Sequence, residues 1–392
     1  MDPNCTPIQV DLFNLIEGSR SNSPPTISYS ESPYIFPTNA AITTITPTVT
    51  GNPNSCTSSP ALPTGLSINP TTCAVSGTPT VAQVATTYTI TASNALGTGT
   101  ATISIQLNAS LGNWTGRATP VYQWTSVTYG NGLFVAVANS AVMTSPDGIT
   151  WTERTSALTS VTTVTYGNGQ FVAVANSGNQ VMTSPDGITW TARTIPTASP
   201  WTSVTYGNGL FVAVANSGTS RVMTSPDGIT WIDRIGAPNT NYWQEVNYGN
   251  GLFVAYSSIG ATRVMISSDG INWNPVSSPT NTWISGTYGN GLYVAVALNG
   301  TNRVMTSPDG ITWTGRISSN EGNQWEGITY ANGLFVAVGT GTNRVMISTD
   351  GINWTGSTSS NEGNQWRSVA YGNGLFVAVA LSGTDLVMTV PY

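Results

Sequence analysis

Residues 201–231 read WTSVTYGNGLFVAVANSGTSRVMTSPDGITW, and this stretch recurs with small changes from residue 113 to the C-terminus. Its YGNG core appears seven times, once as YANG, at intervals of about 40 residues. Such a period is typical of β-propeller blades and of other repeat arrays. We therefore treat this repeat as the unit from which the fold is built.

The seventh copy of the unit is split between the two ends of the repeat region. An SxDGxxW element follows the YGNG core in six copies, but after the seventh the chain ends in DLVMTVPY. The missing closing part stands ahead of the first copy instead, as NWTGR at residues 113–117. An array whose last unit is completed by its own beginning predicts a closed ring, whereas a solenoid would leave the split unexplained.

Each unit predicts four short antiparallel strands. WTSVTY alternates polar and apolar residues, and LFVAVA is a continuous apolar run, as expected of a strand covered on both faces. The GNG and PDG segments are turn signals, and RVMTS and ITW supply the third and fourth strands. The sequence therefore predicts an all-β protein whose C-terminal part is a seven-bladed β-propeller, closed by the strand at residues 113–117.

The SxDGx[TN]W element resembles the Asp-box turn of sialidase-type propellers, with one residue fewer between Asp and Gly. The whole unit also resembles repeats of bacterial surface proteins. We expect each aspartate to accept hydrogen bonds from its own turn, because one carboxylate per turn supplies too few oxygens for Ca²⁺. No metal is therefore expected, and a structural role is predicted for Asp147, Asp186, Asp227, Asp269, Asp309 and Asp350.

The segment before the repeats predicts a separate domain. Within it, LPTGLSINPTTCAVSGTPT followed by YTITAS resembles the immunoglobulin-like, cadherin-like domains of bacterial surface proteins. This resemblance implies an immunoglobulin-like β-sandwich. The predicted organisation is an N-terminal tail at residues 1–23, the sandwich at 24–108, a linker at 109–112 and the propeller at 113–392.

Three cysteines bear on the compartment. Cys56 and Cys73 are additions to the family pattern and are expected to form a disulfide, with two buried free thiols as the alternative. A disulfide would indicate an oxidising compartment. Cys5 is expected to be a free thiol, with a lipoprotein tether as the alternative. No signal peptide is recognisable in this chain, so an extracellular or outer-surface location is inferred from the domains alone.

The composition restricts the partners. Only 7% of residues are charged, the net charge is −6, and there is neither Lys nor His. Nucleic acids and anionic membranes attract clustered positive charge, so we expect neither nucleic-acid binding nor membrane insertion. The absence of histidine excludes Ser-His-Asp chemistry, and no cofactor is expected.

The case for catalysis is weak from the sequence. Two carboxylates depart from the repeat near the start of a first strand, Glu326 directly after a Trp and Glu245 two places after one. Paired carboxylates could support glycoside hydrolysis. Because the other requirements of a sialidase are missing, the sequence favours a protein that is not an enzyme.

Four units combine a Trp that opens the first strand with an Arg that opens the third. These pairs are predicted to lie on the face of the propeller whose loops vary in length and sequence from unit to unit. Variable loops on a rigid scaffold are the usual place for ligand recognition. Such pairs could stack on and hydrogen-bond a sugar ring, although a structural cation–π stack is the alternative. The candidate glycan pockets are Trp201 with Arg221, Trp243 with Arg263, Trp283 with Arg303 and Trp325 with Arg344.

The function predicted from the sequence is that of a bacterial cell-surface or secreted binding protein, an adhesin or lectin that binds glycans or a surface protein. The alternative is a structural subunit of a surface layer or filament, or a scaffold for protein–protein interaction. A large exposed apolar patch would favour the alternative.

Overall fold

The computed structural model describes residues 23–30, 32–38, 41–108, 111–234 and 241–392. Its contacts divide the chain into two units, Met1–Ser110 and Leu111–Tyr392. All regular structure in the described residues is β-strand, which confirms the all-β class. No segment in these ranges forms a helix with the length and apolarity needed to cross a membrane. Cys5, most of the predicted tail and residues 109–110 of the predicted linker lie outside the described residues.

The first unit contains eight strands within its described residues. A four-stranded sheet has the order β2-β8-β7-β4, with β2 parallel to β8, and two strand pairs, β1-β3 and β5-β6, accompany it. The strands are β1 (Thr26–Ser28), β2 (Tyr34–Pro37), β3 (Thr48–Thr50), β4 (Ser55–Ser59), β5 (Leu66–Ile68), β6 (Val75–Gly77), β7 (Gln83–Asn94) and β8 (Gly97–Asn108).

One apolar core holds these strands together. Alternate side chains of β7 and β8, among them Tyr88, Ile90 and Ile105, are almost fully buried in it. The structure joins Cys56 and Cys73, which belong to this core, by a disulfide with their Cα atoms 5.3 Å apart.

Seven four-stranded antiparallel sheets make up the described part of the second unit. The strands of sheets 1 to 3 are β10 (Trp124–Gly130), β11 (Leu133–Ala138), β12 (Ala141–Ser145), β13 (Thr152–Thr155), β14 (Val161–Gly167), β15 (Gln170–Ala175), β16 (Gln180–Ser184), β17 (Thr191–Thr194), β18 (Trp201–Gly207), β19 (Leu210–Ala215), β20 (Val222–Ser225) and β21 (Ile232–Arg234). Those of sheets 4 to 6 are β22 (Trp243–Gly249), β23 (Leu252–Ser257), β24 (Val264–Ser267), β25 (Asn274–Val276), β26 (Trp283–Gly289), β27 (Leu292–Ala297), β28 (Val304–Ser307), β29 (Thr314–Arg316), β30 (Gln324–Ala331), β31 (Leu334–Thr340), β32 (Val345–Ser348) and β33 (Thr355–Ser357).

Sheet 7 is built from both ends of the unit. It has the order β34-β35-β36-β9, from β34 (Trp366–Gly372), β35 (Leu375–Ala380), β36 (Val387–Pro391) and β9 (Thr115–Arg117). The register pairs Val387 with Arg117 and Thr389 with Thr115. The split repeat of the sequence is therefore a single sheet in the structure.

The first strands of successive sheets lie side by side, and β10 lies against both β14 and β34. Six of these strands end in a glycine that allows the close approach, and β30 ends in Ala331 instead. At Gly372 an added Cβ would lie 2.1 Å from Cγ of Tyr129, which joins sheet 7 to sheet 1 in the same way that Gly207 meets Tyr248 between sheets 3 and 4. The row of first strands thus returns to its own beginning.

The core lies between the sheets. Val172 and Val174 of sheet 2 form one cluster with Trp201, Phe211 and Trp231 of sheet 3. Equivalent clusters join sheets 1 and 2, 3 and 4, 4 and 5, and 5 and 6. Each LFVAVA-type strand is therefore covered on both faces, as its apolar run predicts.

The Asp-box turn closes on itself through its carboxylate. Oδ1 of Asp147 accepts hydrogen bonds from the backbone N–H of Ile149 and Thr150, both at 2.8 Å, and from the Ser145 hydroxyl at 2.9 Å. The N–H of Thr150 is the largest of the influences that lower the pKa of Asp147. The indole N–H of Trp151 donates to the carbonyl of the turn glycine at 3.0 Å. The same bonds to the carboxylate recur at Asp186, Asp227, Asp269, Asp309 and Asp350.

Candidate functional site

The predicted Trp/Arg pockets are not present as open sites. Trp201, Trp243, Trp283 and Trp325 each have 0% of their surface exposed, so no sugar ring can stack on them. The physical reason is a β-bulge between the Trp and the residue two places later. The extra residue turns the Trp ring onto the buried face, and the prediction that these rings line glycan pockets is wrong.

The four arginines are partly buried and donate to main-chain carbonyls. Arg221, Arg303 and Arg344 donate to the carbonyl of an asparagine that precedes the first strand of the next sheet. Arg263 donates to the carbonyl of Ser258 within its own sheet. These bonds tie neighbouring loops together, so the arginines are structural rather than open to a ligand.

A polar cavity of about 430 Å³ lies where the first strands of all seven sheets meet. Hydroxyl groups link neighbouring strands along its wall, each accepting a hydrogen bond from a backbone N–H of the next sheet. The bonded pairs are Val127 N–H with Ser368 Oγ, Val164 N–H with Ser126 Oγ, Val246 N–H with Ser203 Oγ, and Ile328 N–H with Ser285 Oγ, at 3.1–3.3 Å.

Glu245 takes the place of this hydroxyl between sheets 4 and 5. Its Oε2 accepts the backbone N–H of Gly286 at 2.7 Å. Burial raises the pKa of the Glu245 carboxyl to about 7, against the opposing influence of Ser285, Gly286 and Arg367. A carboxyl with a pKa near neutrality can both accept and donate a proton at physiological pH.

A paired exchange of side chains surrounds Glu245. Where other sheets have Val or Ile, sheet 5 has Gly286, and where they have Val, sheet 4 has Tyr256. An added Cβ on Gly286 would lie 2.2 Å from Cε2 of Tyr256, so the glycine makes room for the ring. The Tyr256 hydroxyl and both amide atoms of Asn247 are buried without a hydrogen-bond partner among the described residues.

Sheets 6 and 7 place an ion pair in the wall of the cavity. Arg367 of sheet 7 donates to Oε2 of Glu326 of sheet 6, and their side chains are 36% and 13% exposed. Gly327 follows Glu326, and a Cβ there would lie 2.7 Å from the carbonyl oxygen of Arg367. The two carboxylates singled out in the sequence therefore line the same cavity.

The departures from the repeat are confined to one part of the wall. Sheets 1 to 3 line the cavity with Thr, Ser, Val and Asn side chains only. Sheets 4 to 7 contribute Gln244, Glu245, Asn247, Glu326 and Arg367. Sequence reasoning identified Glu245 and Glu326 because they break the repeat, and the same signal would have found Asn247, Tyr256, Gly286 and Arg367.

Comparison with family models identifies the first unit. Residues 18–108 match the family model described as Putative Ig domain, He_PIG. The immunoglobulin-like character predicted for this segment is therefore confirmed. A search of curated protein sequences finds no match to the chain.

The second unit is similar to solved β-propellers. Virginiamycin B lyase from Staphylococcus aureus is 12% identical, with a TM-score of 0.64 over 71% of this chain and 98% of the lyase. The WD40 β-propeller domain of Doa1 is also 12% identical, with a TM-score of 0.54 over 72% of this chain and 97% of that domain. At these identities the likeness shows the fold alone, which is propeller-like.

The expectation that this protein is not an enzyme is corrected by these comparisons. The lyase is an enzyme of propeller-like fold, and it aligns over nearly its full length. The architecture read from the repeats is therefore no argument against catalysis.

Proposed function

We propose that this chain is a cell-surface or secreted binding protein, and that its polar cavity takes a ligand of the saccharide class. In this proposal residues 24–108 are an immunoglobulin-like sandwich, and the seven sheets are the blades of a seven-bladed propeller with the cavity on its axis. The Cys56–Cys73 disulfide fits an oxidising compartment. The sequence predicts a glycan ligand at the Trp/Arg pairs, and the proposed site for that ligand is the cavity instead.

The observation that carries the proposal is the asymmetry of the cavity wall. A purely structural channel would need only the repeated hydroxyls that link the strands. Sheets 4 to 7 instead place carboxylate, amide and guanidinium groups in the cavity. Convergent polar groups in a concave site are the usual basis of ligand orientation, and hydroxyl, amide and carboxylate groups suit the donors and acceptors of a sugar.

The reaction of the lyase is not part of the proposal. A histidine-to-alanine variant of the Staphylococcus aureus lyase, solved with quinupristin, is described as catalytically inactive. This chain contains no histidine at all. The groups in the cavity that could move a proton are the carboxyls of Glu245 and Glu326.

A panel of immobilised glycans tests the proposal with the full chain. We expect binding that falls at least tenfold in the Asn247→Ala variant, because Asn247 lines the cavity. Glu153→Gln is the control, since Glu153 is exposed on β13, the outermost strand of sheet 1. Binding that is equal in the Asn247 variant and the parent, or absent with every glycan, would refute the cavity as a saccharide site.

A second candidate function, a subunit of a surface assembly, rests on a different observation. Each Asp-box turn carries an isoleucine that is 37–57% exposed, at Ile149, Ile188, Ile229, Ile271, Ile311 and Ile352. Repeated apolar groups at equivalent turns could join copies of the protein. Sedimentation velocity over a range of concentrations would detect this, and a monomer at every concentration would contradict self-assembly.

A further inference from the structure

The charged groups of the cavity do not balance. Two carboxylates, Glu245 and Glu326, and one guanidinium, Arg367, line its wall. The ion pair of Arg367 is with Glu326. Among the described residues Glu245 has no ion-pair partner, so the cavity carries one net negative charge when all three groups are ionised.

The surroundings of Glu245 compensate for this charge only in part, because Ser285, Gly286 and Arg367 lower the pKa of its carboxyl but burial outweighs them. Oε2 accepts one backbone N–H, from Gly286. Burying an ionised carboxylate is unfavourable unless it is paired and hydrogen-bonded. The Tyr256 hydroxyl, which feels the charge of Glu245, and the amide of Asn247 are buried beside it and interact with each other.

Glu245 and Asn247 are placed to act together. They are two residues apart on β22 and both line the cavity, as the two-residue period of a strand allows. The paired exchange to Tyr256 and Gly286 keeps the wall behind them filled. A carboxylate and an amide oxygen on one face can accept two hydrogen bonds from a single cationic donor.

We propose that Glu245 and Asn247 form a subsite for a protonated amine, so that the ligand of the cavity is an amino sugar or a similar polyhydroxyl amine. This inference rests on the proposed function and names the class of saccharide. The ammonium group supplies the missing positive charge and up to three N–H donors. Tyr256 does not line the cavity and acts as a positioning residue behind Glu245. The hydroxyls of sheets 1 to 3 remain for the neutral part of the ligand.

Three matched monosaccharides test the inference on the unmodified full chain at pH 7. Glucosamine carries an ammonium group, N-acetylglucosamine a neutral amide and glucose a hydroxyl at the same carbon. Affinity is measured by titrating the protein with each sugar and following the changes in the NMR chemical shifts of the protein. We expect glucosamine to bind at least tenfold more tightly than the other two, and this preference to weaken with added NaCl because the charges are screened.

Two Glu→Gln variants test whether Glu245 is the cause of the preference for glucosamine. In Glu245→Gln the advantage of glucosamine over N-acetylglucosamine should fall to less than about twofold. Glu153→Gln changes the net charge equally and should keep the full advantage. A preference for glucosamine that survives in Glu245→Gln overturns the assignment to this carboxylate.

The outcomes separate the two proposals. Equal binding of all three sugars overturns the amine subsite and supports the saccharide site. No binding of any sugar overturns both. Displacement of glucosamine by CaCl₂ but not by NaCl of equal ionic strength would assign Glu245 and Asn247 to a metal ion, and would also overturn the amine subsite.

Discussion

Replacing Glu245 by Gln should stabilise the second unit at pH 8 and leave its stability nearly unchanged at pH 4.5. Between its ordinary pKa of 4.5 and the raised value of about 7, the folded state holds the Glu245 proton more tightly than the unfolded state. The free energy of unfolding of the parent therefore falls as the pH rises through this window. Gln does not titrate, and its amide oxygen can still accept the N–H of Gly286.

The size of the effect follows from the shift. A difference of about 2.5 pKa units corresponds to about 3 kcal/mol. For a unit of this length the entropy of unfolding is on the order of 0.6 kcal/mol per kelvin, so the melting temperature should rise by about 5 °C. The six Asp-box carboxyls have lowered pKa values and stay ionised from pH 5 to 8, so they do not contribute to the difference.

Differential scanning calorimetry of the parent and of Glu245→Gln from pH 5 to 8 measures this difference. Glu153→Gln, on an exposed strand, is the matched control and is measured over the same range of pH. A melting difference that is constant over this range, or a Gln variant that is less stable than the parent at pH 8, would refute the burial of an uncompensated carboxylate at Glu245.

Three further predictions concern stability. Gly286→Val should lower the melting temperature by several degrees because the new side chain meets Tyr256, and adding Tyr256→Val should restore most of it; a double variant no better than the single one would contradict the pairing. Asp309→Ala should cost about 1 kcal/mol in urea unfolding at pH 7, and the cost should shrink as the pH falls from about 4 to about 2, because hydrogen bonding lowers the pKa of Asp309 to about 2; a cost that persists in acid would argue against the carboxylate. Reduction of the Cys56–Cys73 disulfide should destabilise the first unit by roughly 3 kcal/mol without moving the transition of the second, and the two transitions can be followed in one calorimetric scan.

Much of the fold follows from local signals in the sequence. Asn208 and Gly209 adopt the positive φ values, 48° and 76°, that a tight hairpin turn needs. The apolar LFVAVA run becomes a strand buried on both faces, and NWTGR before the first repeat supplies the closing strand. These features depend on residues close together in the chain or on the count of the repeats, both of which the sequence displays.

The position of the first-strand tryptophans could not be read in the same way. Strict alternation along WTSVTY places Trp201 on the face of Ser203, whereas the structure packs it with Val204 and Tyr206. The difference is the bulge between Trp201 and Ser203. A bulge inserts one residue and exchanges the faces of the strand beyond it, and nothing in the residue types announces it.

The cavity could be predicted only in part. Glu245 and Glu326 stand out as charged departures from a repeat with few charges. Their convergence depends on the ring, which brings strands more than 80 residues apart in sequence to one axis, as the positions 245 and 326 show. The sequence shows that Tyr256 stands where the other units have Val. Only the structure shows that Gly286 makes room for the Tyr256 ring.

The pairing of β9 with β36 means that sheet 7 can be completed only late in synthesis of the chain. Arg117 and Thr389, whose side chains are hydrogen-bonded at 2.8 Å, are separated by 272 residues. At a translation rate of about 5–20 residues per second, β9 waits roughly 15–50 s for its partner to be made. During that interval the six other sheets can form in order, each from strands close together in the chain. A strand of only three residues offers a neighbouring nascent chain little to pair with. The shortness of β9 therefore limits mispairing before β36 is synthesised.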